Sequence, residues 1–85
     1  MSLDDESAVV PDGMAIRRLR RRRGWSRRAF IEAIADACQR ESGLRETISP
    51  NLLEGVEEAN ERIPFATLRR IAAGLDVNPV ELLAD

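Results

Sequence analysis

The stretch that most restricts this 85-residue chain is Ile48-Ser49-Pro50-Asn51-Leu52-Leu53-Glu54-Gly55-Val56-Glu57. Ser49 offers a hydroxyl that can cap a helix start. Pro50 suits the first helical position, where no N–H is needed. Leu53 and Val56 lie three apart and Leu52 is one turn from Val56, so one face is apolar. Ile48, just before the cap, can staple back onto Leu52 or Leu53. The segment reads as a short capped helix over residues 49–59, held to a core by one side and open on the other.

The same grammar runs along the rest of the chain. Asp12 can cap a first helix from about 13 to 23, with Ile16 and Leu19 as its apolar contacts and Gly24 as its left-handed stop. Trp25 follows as a large anchor between helices. Ser26 opens a second helix with Phe30, Ala33, Ile34, Ala37 and Cys38 at helical spacing. That helix runs to about residue 41 and ends at Ser42-Gly43. Residues 44–47 form a polar connector to the Ser49 helix, after which Asn60 can take the left-handed position. Ile63-Pro64 starts a fourth helix with Phe65, Leu68, Ile71 and Ala72 inward and Gly74 as its stop. Asn78-Pro79 caps a short last helix with Val80, Leu82 and Leu83 facing the core. Residues 1–11 are acidic and aperiodic and read as a flexible tail before a domain over 12–85. No run alternates as a strand does, so the expected class is all-α, with five helices.

Composition excludes several functions. The chain has one cysteine and no histidine, which leaves no metal site, no cofactor ligand set and no internal disulfide; Cys38 reads as a small buried hydrophobe. It also lacks lysine and tyrosine, and no Gly-rich phosphate loop is present, so catalysis finds no support and a non-enzyme is expected. No apolar run approaches the ~18 residues a membrane span requires, and no signal peptide is visible, which points to the cytoplasm. The net charge of −2 conceals a segregation. Residues 1–13 carry four acids and no base. Residues 14–40 carry nine arginines against Glu32 and Asp36, and residues 41–85 carry four arginines against nine acids. Clustering of this kind, more than the overall balance, bears on the partner.

Residues 13–84 resemble the lambda-repressor-like (Xre/Cro type) helix-turn-helix family. The resemblance rests on Ile16-Arg17-Arg18-Leu19-Arg20, Gly24-Trp25-Ser26, Ile48-Ser49-Pro50, Leu53 with Val56-Glu57, Ile63-Pro64, Leu68-Arg69-Arg70-Ile71-Ala72, Leu75-Asp76-Val77 and Leu82-Leu83. It implies a compact five-helix domain whose third helix, about 49–59, enters the DNA major groove, often as a dimer on a two-fold site. It further implies a structural ion pair between Arg20 and Glu57, and a backbone or base contact by Arg27. The chain departs from the pattern in one region. Ser26 and Ser49 stand 23 positions apart, roughly twice the family's spacing, so about a dozen residues (36–47) enlarge the corner between helices 2 and 3.

These readings lead to a DNA-binding transcriptional regulator, with double-stranded DNA as partner and a homodimer through the last helix or the extended second helix. The candidate DNA-binding residues are Arg27 and Arg28, Ser49 and Asn51, and Arg21, Arg22 and Arg23. Arg27 and Arg28 sit in the first turn of a helix, where a cation opposes the dipole unless a phosphate docks there. Asn51 could make a bidentate contact to adenine. Against this, Pro50 and Gly55 have no side chain that reads a base, and Glu54 and Glu58 repel a polyanion. The alternative is a protein-interaction or antitoxin-like module on the same scaffold.

Overall fold

The structure, a computed structural model, describes residues 3–84. In order, the elements are β1 (Ala8–Val9), α1 (Gly13–Arg22), α2 (Arg27–Ser42), α3 (Pro50–Ala59), β2 (Ile63–Pro64) and α4 (Phe65–Leu75), followed by a 3-10 turn over Pro79–Leu82. The fold is mostly helical with one two-stranded antiparallel ladder, in which Ala8 faces Pro64 and Val9 faces Ile63. The caps follow residue chemistry. The side chains of Asp12, Ser26 and Ser49 accept hydrogen bonds from Ala15, Ala29 and Leu52. Gly24 and Gly43 adopt positive φ after α1 and α2, and Asn60 does so after α3.

One core joins all the helices. Ile16, Phe30, Ile34, Leu53, Val56, Leu68, Ile71 and Leu82 are fully buried, and Trp25, half-buried, stacks on Phe30 with ring centroids 5.8 Å apart. Gly13 lets α1 meet α3 at close range, because a Cβ there would collide with the Val56 carbonyl oxygen. Asn60 serves both helices: it ends α3, and its side-chain oxygen accepts the Gly13 N–H at 2.9 Å.

Four expectations need correction. The segment over 1–11 is no flexible tail where it is described. Val9 and Pro11 are buried, the Phe65 N–H donates to the Ser7 carbonyl at 2.8 Å, and the Ala66 N–H donates to the Asp5 carbonyl at 3.0 Å. Pro64 has no side-chain acceptor, so α4 begins with orphan donors, and the N-terminal segment satisfies them. Gly74 does not stop α4. It lies inside the helix, where a Cβ would meet Ile34 of α2, and the left-handed stop is Asp76. Third, Ile63-Pro64 forms β2 rather than the first turn of α4. Fourth, there are four α-helices and not five: the last is a 3-10 turn, closed by Asn78 and Glu81 as a capping box. Within it Val80 points outward, 59 % exposed, while Leu82 is buried. Met1, Ser2 and Asp85, which the expected tail and domain include, lie outside the described residues.

Burial of Val9 predicts that Val9→Ala lowers the unfolding free energy by about 1.5 kcal/mol, two methyl groups at about 0.8 kcal/mol each. Urea denaturation measures this, and a free tail would leave the midpoint unmoved.

Candidate nucleic-acid interface

The centre of the site is a carboxylate. Glu57 of α3 is buried, with Arg20 of α1 against it: Nε to Oε2 at 2.7 Å and Nη2 to Oε1 at 2.8 Å. Arg20 Nη1 also donates to the Trp25 carbonyl at 2.9 Å, so all three kinds of guanidinium nitrogen are used. Arg27, in the first turn of α2, donates from Nε to the same Glu57 at 3.1 Å and from Nη2 to Glu58 at 2.7 Å. Burial opposes ionisation of Glu57, but the hydrogen bonds and charges of Arg20 and Arg27 outweigh it and hold its carboxyl below the usual range. Arg27 is raised by its bonds to Glu58 and then Glu57, and Glu58 is lowered chiefly by Arg27.

The candidate arginines therefore divide. Arg20 and Arg27 are spent on Glu57 and Glu58. Arg23 donates to the Leu75 carbonyl at 2.6 Å, and its guanidinium lies over the Trp25 ring at 5.3 Å. Arg21, Arg22 and Arg28 are exposed, and among the described residues no carboxylate lies within ion-pair reach of them. Arg18, which the sequence reading did not single out as a contact, shares that condition.

Ser49 and Asn51 are exposed at the start of α3, where the Ser49 hydroxyl oxygen accepts the Leu52 N–H at 3.1 Å. Beyond Asn51 the same outer face continues through Glu54 to Glu58, both exposed, and the Glu61 carboxylate lies over Gly55 in the space a Cβ would fill. The open side of α3 is thus anionic from its second turn onward.

The enlarged corner is an excursion. α2 runs out to Ser42, Gly43 turns the chain, and residues 44–47 come back along the helix. Arg45 pairs with Asp36 and, at 2.8 Å, with Glu32; the Thr47 hydroxyl donates to the Ile31 carbonyl at 2.7 Å. The return sets Ser49 down near the second turn of α2 instead of beyond its far end, and Ile48 is buried there. The clamp by Arg45 was not foreseen from sequence, although Glu32, Asp36 and Gln39 spaced along α2 mark the face that receives it. Equally unforeseen was the competition of Glu58 for Arg27. No protein-family model, curated protein or solved structure matches the chain.

Replacing Glu57 by Gln leaves Arg20 buried beside a neutral group, and the expected loss at pH 7 is about 3–5 kcal/mol. The pH dependence has a definite sign. A carboxyl held low in the fold stabilises fully above the ordinary value of 4.5, and that contribution drains away as pH falls through the lowered value. Denaturant midpoints below pH 4.5 should therefore fall more steeply for the native chain than for Glu57→Gln. Parallel slopes would show that Glu57 gains nothing from its two arginines.

Proposed function

We propose that the chain is a DNA-binding regulator of the lambda-repressor-like, helix-turn-helix kind, with double-stranded DNA as its partner and two copies sharing a two-fold site. One observation carries the reading. The excursion after α2 returns before α3 begins, so the starts of both helices stay exposed, and at the start of α2 the exposed Arg28 has no carboxylate within ion-pair reach among the described residues. Helix starts present N–H groups and a positive dipole end to phosphate, and Arg28 adds a guanidinium at one of them.

A second reading has its own support. The acidic group of Glu54 and Glu58 on α3 with Glu61 just beyond its end, and the engagement of Arg27 by two carboxylates, suit a protein partner on the same scaffold. Under that reading, substitutions within residues 40–47 alter partner capture or self-association, and DNA affinity is negligible.

Fluorescence anisotropy with a labelled duplex separates the two. The DNA reading predicts binding at low salt that weakens linearly in log–log form as salt rises. Arg28→Ala should weaken binding and reduce the magnitude of the salt slope by about 1. A chain that binds no duplex even at low salt is not a DNA-binding regulator.

A further inference from the structure

Arg27 carries one positive charge and touches two carboxylates. Its Nε donates to Glu57 at 3.1 Å and its Nη2 to Glu58 at 2.7 Å. The two bonds differ in kind. The Glu57 side chain is 0 % exposed, and Arg20 already meets both of its oxygens, at 2.7 and 2.8 Å. The Glu58 side chain is 54 % exposed, and Arg27 is its one hydrogen-bond partner among the described residues. Breaking the first bond takes a partner from a buried carboxylate, whereas breaking the second hands an exposed carboxylate to water. Exposed ion pairs are weak and buried ones resist rupture, so the Glu58 bond is the one that yields.

The fold holds a place for a released Glu58. Arg17 stands one turn after Gly13, on the side of α1 that meets α3 beside Glu57. The Arg17 Nε is shut off from water and has no hydrogen-bond acceptor among the described residues. A buried donor without an acceptor destabilises the fold, and a carboxylate brought to that guanidinium relieves it. Glu58 already lies within its field: its carboxyl is held below the usual range chiefly by Arg27 and, at longer range, by Arg17.

Arg27 lies beside Arg28 in the first turn of α2, the helix start that the DNA-binding reading gives to phosphate. Its Nη1 makes no hydrogen bond among the described residues, so one nitrogen is open. A phosphate that takes two parallel bonds from this end of the guanidinium uses Nη1 together with Nη2, and at Nη2 its oxygen meets the Glu58 carboxylate. Two anions on one nitrogen repel. We infer that Glu58 is a latch on Arg27: a phosphate of duplex DNA displaces it from Nη2, the freed carboxylate passes to Arg17, and the Nε bond to Glu57 keeps the guanidinium in place. This inference rests on the DNA-binding reading above and names a residue that sets its affinity. Ser49 and Asn51 remain free to enter the groove, because Glu58 lies about two turns further along α3.

Anisotropy with one labelled duplex at physiological salt, where long-range repulsion is screened, tests the latch. Glu58→Gln should raise affinity about threefold, the scale of an exposed ion pair. The gain should vanish when Glu58→Gln is combined with Arg27→Ala, because the contact it releases is already gone. Glu54→Gln removes an exposed acid of α3 that has no arginine partner among the described residues, and so measures general repulsion; it should raise affinity less than Glu58→Gln does. Arg17→Ala should lower affinity about twofold in the native chain and by less alongside Glu58→Gln. Circular dichroism verifies that each variant is folded, and Arg27→Met, which keeps most of the side-chain stem, replaces Arg27→Ala if that variant is not. A gain from Glu58→Gln that persists with Arg27→Ala, or that Glu54→Gln matches, is plain charge repulsion and overturns the latch while leaving DNA binding intact. Unchanged or lowered affinity in Glu58→Gln overturns it equally. Equal losses from Arg17→Ala in both backgrounds overturn the transfer to Arg17. A native chain that binds no duplex even at low salt overturns the DNA-binding reading and this inference together.

Discussion

The buried Glu57 carboxylate is the constraint on which the rest depends. It is taken out of water on α3, and its two oxygens are met by Arg20 from α1 and Arg27 from α2. Three helices are thereby fixed at one point by charge-assisted hydrogen bonds whose geometry is directional, in addition to the close packing of the core. Such a pair adds little net stability over a well-packed apolar alternative, because desolvating both charges is costly. Its effect here is positional. With the buried Leu53 and Val56 it fixes the rotation of α3, and hence which residues of that helix face outward.

The same carboxylate sorts the arginines into two populations. Arg20 spends all three guanidinium nitrogens on the fold, and Arg27 gives Nε to Glu57 and Nη2 to Glu58. Arg23 is similarly occupied by the end of α4 and by Trp25. Exposed and outside any ion pair among the described residues are Arg18, Arg21 and Arg22 on α1, Arg28 at the start of α2, and the scattered Arg40 and Arg62. A chain whose overall charge is slightly negative thus presents a concentrated cationic surface, with an anionic one on the adjacent helix. This adjacency has an electrostatic consequence: surfaces of opposite sign on neighbouring helices orient a charged partner as well as attract it.

Much of the helical layout was legible because local chemistry dictated it. Ser26, Ser49, Gly24, Gly43 and Asn60 each act within a few residues of themselves, and their consequences need no tertiary information. The misreadings came where a distant segment intervened. Pro64 looked like a first-turn residue, but the donors that follow it are met by carbonyls from Ser7 and Asp5, far away in sequence. Gly74 looked like a stop, but it is required by the approach of Ile34. The site was less legible than the fold. Arg27 stood out by its position at a helix start, yet its availability depended on where Glu57 and Glu58 would project. The enlarged corner could have buried the start of α3; the clamp of Arg45 on Glu32 and Asp36 sends it back along α2 instead.

The central claim is that the fold divides its arginines into locked and available groups, and that an available one at a helix start, Arg28, meets the polyanion. The side-chain Nε–H signals of the arginines, followed by NMR as duplex DNA is added, test this most directly. The account predicts that Arg28 shifts with added duplex, while the locked Arg20 stays in place. An Arg28 signal that stays unmoved at saturating duplex, or an Arg20 signal that shifts as Arg28 does, would contradict it.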